Sequence, residues 1–332
     1  MAIALLLLAV GFILLVKGAD WLVEGATAIA RRFGVSDLVV GLTVVAFGTS
    51  VPEWAVNMIA AIQNHTDLVI GSVIGSNLAN TLLILGIAAL IFPLSVQKST
   101  AKFDIPFNLV VTVLLLIVAN DQWEHRGVTS ILSRIDGVLF LILMAFYLYR
   151  SFTTQRIKVP DEIIHAAKTG VLQAMFLVCI GIIAVVGGGK LVVDHAVQIA
   201  MHLGVSQALI GLTVVAVGTS LPELTTSVIA ARKGKADIAV GNVVGSNIFN
   251  ILWILGTSAI VRPIPFDTAL NSDIIILIAA TVAMFLIIHS GMLHRRLLLW
   301  WKQKDNFLIK RWEGGLLLGL YVCYVAYVVA RG

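Results

Sequence analysis

The sequence predicts an all-α integral membrane protein: ten transmembrane helices forming two inverted five-helix repeats, with broken helices at the repeat interface. Three observations predict this. Of 332 residues, 59% are hydrophobic and only 12% charged, with a mean hydropathy of +0.99; an ordinary soluble domain is roughly 25% charged. The apolar residues gather in ten long runs. And one stretch occurs twice, as GLTVVAFGTSVPE at 41–53 and GLTVVAVGTSLPE at 211–223, an offset of 170.

The runs cover about 2–30, 38–62, 68–92, 104–119, 135–149, 171–201, 208–231, 238–261, 270–290 and 312–330. The fifth is short; several exceed the ~20 residues that a bilayer needs, which allows tilt or broken helices. The strands of a barrel would be about 10 residues of alternating polarity. These runs are longer and uniformly apolar, so they are helices, which satisfy their own backbone in lipid. The first run has no basic leader and reads as a spanning helix rather than a removed signal.

Without a gap, residues 34–86 match 204–256 at 28 of 53 positions. The repeat divides the chain into an N-terminal half (1–150), a short cytoplasmic linker (151–170) and a C-terminal half (171–332). Five is an odd number, so the second unit enters the membrane upside down. Inverted repeats are a transporter signature, with binding near the midplane. Loop charge agrees. The odd-numbered loops carry 17 Lys and Arg; the even-numbered ones carry Arg126, Arg134 and Arg262. Basic loops stay in the cytoplasm, which puts both termini outside. The net charge of +5 lies mostly in loops and bears on topology, not on nucleic acid. In the 291–311 loop, Leu297–Trp301 fits the membrane interface. Cys179 and Cys323 sit in apolar runs and read as small buried hydrophobes rather than disulfide or metal partners.

Each repeat carries a glutamate in its apolar core, Glu53 or Glu223. A carboxylate there is costly and marks a candidate site. Thr49, Ser50 and Glu53 share a helical face. Pro52 removes an amide donor and clashes with the Gly48 carbonyl, which predicts a kink or break and frees carbonyls around Ala46 to Thr49. Gly218, Thr219, Ser220, Pro222 and Glu223 repeat the device. Oxygen ligands of this kind suit hard cations such as Ca²⁺ and Na⁺; the competing account is kinked helices with protonated, merely hydrogen-bonded glutamates. GSVIGSNLAN (71–80) and GNVVGSNIFN (241–250) supply partners. Ser76 and Asn80 share a face, as do Ser246 and Asn250. Asn77 and Asn247 either ligate or satisfy broken-helix backbone. Gly71, Gly75, Gly241 and Gly245 are spaced for close helix contact. Lys17–Asp20 and Lys190–Asp194 are expected to pair along their own helices, and Asp67 and Asp237 to cap the third and eighth runs. The histidines form no ligand pattern, and no enzyme motif is present.

At these motifs the chain resembles the cation/calcium exchanger superfamily, most nearly the compact bacterial calcium/sodium antiporters. The resemblance is specific over 34–86 and 204–256 and loose elsewhere. It implies one cation site on four broken helices, with Glu53 and Glu223 as central carboxylates. Thr49, Ser50, Thr219 and Ser220 would supply hydroxyl or carbonyl oxygens, and Ala46 and Ala216 backbone carbonyls. Ser76, Asn80, Ser246 and Asn250 would complete it. Potassium co-transport in the family goes with an aspartate where this chain has Asn80 and Asn250, which weakens the case for it here. The implied function is exchange of Ca²⁺ for Na⁺ by alternating access in a bacterial inner membrane, with Ca²⁺/H⁺ exchange or a cation channel as alternatives. The transported ions and the lipid bilayer are the expected partners; no cofactor is implied, and a monomer can suffice.

Overall fold

The computed structural model describes residues 2–63, 66–120, 130–154, 170–203, 218, 220–298 and 307–331. Its helices follow the apolar runs. Helix α1 is Ala2–Phe33. Helix α2 joins Asp37–Val40, a π-helical turn Gly41–Val45 and Ala46–Ile62; Ser36 caps it by accepting from the Val39 amide at 3.1 Å. Helix α3 joins Thr66–Leu78, a π turn Ala79–Ile84 and Leu85–Ile91. Helix α4 is Ile105–Val118, entered through a π turn Thr100–Asp104. Then come α5 (Arg134–Thr154), α6 (Val171–His202) and α7 (Leu221–Arg232). Helix α8 joins Ala236–Phe249, a π turn Asn250–Leu255 and Gly256–Val261. Helices α9 (Asn271–Leu298) and α10 (Arg311–Arg331) complete the set. Among the described residues nine spans are long and apolar enough to cross a membrane; the start of the seventh run lies outside the described residues. The fifth, short in the sequence pattern, is a helix of 21 residues.

In lipid, apolar side chains gain little by leaving their surroundings, so helix contact depends on close backbone approach. Helices α1 and α6 show how the sequence provides it. Gly11, Gly18 and Gly25 recur every seven residues, and Ala174, Gly181 and Gly188 answer them in reverse order. A Cβ at Gly11 would stand 3.0 Å from the Gly188 carbonyl oxygen, one at Gly181 2.9 Å from that of Gly18, and one at Gly25 2.7 Å from that of Ala174. The offset of 170 relates Gly11 to Gly181 and Gly18 to Gly188. Equivalent helices thus pack antiparallel through equivalent glycines, as inverted repeats require.

The halves are also interlocked. A Cβ at Gly137 of α5 would lie 2.7 Å from the Gly256 carbonyl oxygen of α8; one at Gly314 of α10 would lie 2.7 Å from that of Gly86 in α3. Gly86 and Gly256 are repeat equivalents, so each half's fifth helix covers the other half's third. Two short antiparallel ribbons, not expected from the sequence, repeat the exchange. Strand β1 (Leu94–Val96) pairs with β4 (Phe307–Ile309), and β2 (Ile131–Leu132) with β3 (Ile264–Pro265). The first ribbon joins two odd-numbered loops and the second joins two even-numbered loops. Helix α8 lies at the centre, with every one of its residues from Ala236 to Phe249 buried except Asp237.

Several local expectations change. Asp20 pairs not with Lys17 but with Lys233 Nζ across helices, at 2.6 Å, whereas Lys190 and Asp194 do pair along α6 at 3.4 Å. Asp237 is not the cap of α8; it sits in the first turn and accepts from Gln97 Nε2 at 2.7 Å. Cys179 and Cys323 are exposed on the outer surface rather than buried, because the lipid-facing side of a span is as apolar as its core. Gly241 and Gly245 meet Leu38 and Leu42 of α2 closely, but Gly71 and Gly75 have no close neighbour among the described residues. The Trp300–Trp301 segment lies outside the described residues.

Candidate functional site

Helices α2, α3, α7 and α8 converge on a buried polar cluster. Thr49, Ser50 and Glu53 come from α2, and Ser76 and Asn80 from α3. Ser220 and Glu223 come from the start of α7, and Ser246 and Asn250 from α8. All are buried, as are Ala46, Gly48 and Gly218. Ala216 and Thr219 lie outside the described residues. The two glutamates come from opposite repeats, and Ser50, three residues before Glu53, links them. Ser50 Oγ donates to Glu223 Oε1 at 3.3 Å across the repeats. Thr49 Oγ1 lies 3.3 Å from the Ala46 carbonyl oxygen and 3.2 Å from Asn242 Oδ1.

The expected break at Pro52 takes another form. Helical bonding continues through Pro52 from Ala46 to Ile62, although proline gives the Gly48 carbonyl no amide. In the second half, Pro222 falls in the opening turn of α7 and Ser220 at its N-cap. The main departures from α geometry are π turns. Asn80 lies within one in α3, and Asn250 opens another in α8. Such turns rephase side chains and are frequent at functional sites.

The state of the oxygens is more telling. Among the described residues, Glu53 Oε2, Glu223 Oε2, Asn80 Oδ1, Asn250 Oδ1, Ser220 Oγ and Ser246 Oγ are buried without a hydrogen-bond partner. A single such group costs about 1–3 kcal/mol, and more if charged. Six gathered from four helices form a set of hard oxygen donors of the kind that replaces a cation's hydration shell. Asn77 and Asn247 bond across the repeats. Asn77 Nδ2 donates to the Asn247 carbonyl oxygen at 3.2 Å, and Asn247 Nδ2 to Thr81 Oγ1 at 2.8 Å. Asn250 Nδ2 donates to Asn77 Oδ1 at 2.9 Å. These amides join the two repeats; Asn77 bonds backbone, whereas Asn247 bonds a side chain and its Oδ1 is buried without a hydrogen-bond partner among the described residues, like the oxygens of the cluster. A cavity of about 220 Å³, walled largely by Phe47, Trp54, Phe249 and Trp253, reaches Ser50.

Four polar residues beside the glutamates were not singled out from sequence: Asn57, Ser72, Ser227 and Asn242. Their signal lay in the mismatches of the repeat rather than in its matches.

Comparison with known proteins places this arrangement. The family model for sodium/calcium exchanger protein matches residues 3–153 and 173–330. The chain is 37% identical over 327 residues to a putative antiporter, CaxA, of Alkalimonas amylolytica, covering 98% of each chain. It is 33% identical to the sodium/calcium exchanger MaX1 of Methanosarcina acetivorans, covering 96% of this chain and 97% of that one. The inner membrane protein YrbG of Escherichia coli is 38% identical over 80% of this chain and 82% of its own. A solved structure of the sodium-calcium exchanger NCX_Mj, soaked with zero Na⁺ and Ca²⁺, superposes with a TM-score of 0.81 at 33% identity, covering 99% of this chain and all of that one. With both halves matched and a full-length structural likeness, this multi-pass membrane protein is a transporter rather than an enzyme, an antiporter belonging to the sodium/calcium exchanger family.

Proposed function

We propose that the protein exchanges Ca²⁺ for Na⁺ by alternating access, through one site to which Glu53 and Glu223 contribute the charge. The observation that carries this reading is the set of buried, unpartnered oxygens drawn from both repeats. Two carboxylates enclosed together repel each other and are poorly solvated. One Ca²⁺ neutralises both, and so do two Na⁺. A loaded site can therefore cross where an empty one is costly, and that difference couples the two fluxes. Thr49, Ser50, Thr219, Ser220, Ser76, Asn80, Ser246, Asn250 and the carbonyls of Ala46 and Ala216 complete the ligand set in this reading. The names of MaX1 and NCX_Mj as sodium/calcium exchangers support the choice of ions. A bacterial inner membrane is the proposed location, supported by YrbG, with the basic loops inside and both termini outside.

The test is ⁴⁵Ca²⁺ uptake into proteoliposomes under imposed Na⁺, K⁺ or H⁺ gradients. Saturable uptake driven by an outward Na⁺ gradient is expected. Uptake driven by H⁺ alone would replace Na⁺ as the counter-ion, and flux at channel rates without a counter-ion would overturn exchange.

A further inference from the structure

The repeat hides a trade. With the offset of 170, position 57 corresponds to 227 and position 72 to 242. The first half has Asn57 and Ser72; the second has Ser227 and Asn242. Amide and hydroxyl have changed places between the glutamate-bearing helix and its neighbour. The groups they bond have not changed, although the bond to the glutamate carbonyl lies within α2 in the first half and crosses from α8 to α7 in the second. Asn57 Nδ2 donates to the Glu53 carbonyl oxygen at 2.7 Å and reaches Ser72 Oγ at 3.4 Å. Asn242 Nδ2 donates to the Glu223 carbonyl oxygen at 3.3 Å and to Ser227 Oγ at 3.0 Å. In each half one side-chain amide bonds both the main-chain carbonyl of the central glutamate and the exchanged hydroxyl: Asn57 from the glutamate's own helix α2, reaching across to α3, and Asn242 from α8, reaching two groups on α7. Asn57, Ser227 and Asn242 are buried, and Ser72 is exposed.

The same pair of bonds, reached from opposite helices, identifies the shared requirement. A carboxylate that must meet a cation needs its Cα and helix phase held to a fraction of an ångström. A bond to the glutamate's own carbonyl does this without occupying a carboxylate oxygen. We propose that Asn57–Ser72 and Ser227–Asn242 are exchanged positioning pairs that hold the Glu53 and Glu223 main chains in register for ion binding, and that within a half amide and hydroxyl are interchangeable. The two pairs differ in one respect. Asn242 Oδ1 also accepts from Thr49 Oγ1 of the other repeat, so Asn242 positions groups from both halves. The inference rests on Glu53 and Glu223 being the ion-binding carboxylates.

The test uses the full chain in proteoliposomes, reading KM for Ca²⁺, maximal rate and thermal midpoint. N57S leaves a hydroxyl at both positions and loses the amide bond, which is worth roughly 1 kcal/mol, or several-fold in affinity. KM should rise several-fold while maximal rate holds and the thermal midpoint falls by no more than the loss of one such bond brings. The N57S/S72N double variant gives the first half the arrangement of the second, and KM should return to within about twofold of the parent. S227N/N242S restores the Glu223 bond but not the Thr49 contact, so it should recover only part of what N242S loses. An unchanged KM in N57S, or a double variant no better than N57S, overturns the proposal. Should N57S not give monodisperse protein, the double variant is read directly against the parent, and a KM several-fold higher overturns the pairing. A parent that exchanges no Ca²⁺ under any gradient overturns the exchange reading itself, and that is seen before any variant is made.

Discussion

Ser50 Oγ donates to Glu223 Oε1 at 3.3 Å although the two residues stand 173 positions apart and in opposite repeats. A hydroxyl from one half thus serves the carboxylate of the other. Its repeat equivalent, Ser220, has a buried Oγ with no partner among the described residues. The two serines should therefore separate stability from binding. Ser50→Ala removes a bond to a carboxylate and should lower the stability of the ion-free protein by about 1.5–3 kcal/mol. Ser220→Ala removes none and, by deleting an unpartnered buried oxygen, should leave it the same or raise it. Both should weaken Ca²⁺ binding, since each deletes an oxygen. Thermal midpoints without and with Ca²⁺ check both halves of this expectation.

The α1–α6 pair depends on glycine at some positions and not at others. A Cβ at Gly181 would lie 2.7 Å from the Leu22 amide nitrogen, backbone that cannot yield without the helices separating. A Cβ at Gly187, further along the same helix, would have nothing within 4 Å among the described residues. Gly181→Ala should destabilise the protein by roughly 1–3 kcal/mol, as overpacking does, and Gly187→Ala should not. Midpoints of detergent-solubilised protein provide the comparison.

The ribbons and the loop charge together predict sidedness. Pairing β1 with β4 and β2 with β3 groups odd loops with odd and even with even. With Cys179 and Cys323 first replaced, because both are exposed, a cysteine at position 156 should be labelled only from the cytoplasmic side. Labelling from outside in intact cells would reverse the orientation.

What the sequence made legible followed from lipid's demands. The ten helices were readable because a bilayer rejects unpaired backbone, and the cluster around Glu53 and Glu223 because buried charge is expensive. Other features depend on tertiary packing. The π turns at Asn80 and Asn250 leave no mark on hydropathy. Helix α2 continues through Pro52, against the local preference for a kink or break. Cys179 and Cys323 were misplaced because inner and outer faces of a span are equally apolar. Asp20 was given to Lys17 on its own helix, yet Lys233 comes closer through folding. The exchanged Asn57–Ser72 and Ser227–Asn242 pairs were visible as two complementary mismatches, but nothing before the structure brought those four positions together.

The charge of the site bears on ion choice. Asn80 and Asn250 are neutral, which leaves two carboxylates in the cluster. Ca²⁺ exchange should therefore proceed without K⁺ when Na⁺ is supplied; loss of flux on removing K⁺ would reject this. Asn250→Asp adds a third charge where Asn250 Oδ1 is already unpartnered, so it should change cation preference. Competition of Na⁺ and K⁺ against ⁴⁵Ca²⁺ measures that change.

The central claim is that Glu53 and Glu223 jointly bind the transported ion, and ⁴⁵Ca²⁺ exchange by purified Glu53→Gln and Glu223→Gln tests it most directly. Glutamine keeps the size and one carbonyl oxygen but removes half of the site's formal charge, which a hard divalent ion can least spare. Both variants should be monodisperse and at least as heat-stable as the parent, since each relieves the repulsion between two buried carboxylates. Both should lose nearly all Ca²⁺ exchange at low and at saturating Ca²⁺. Parent-like exchange in either folded variant would contradict the assignment of the site and the exchange mechanism built on it.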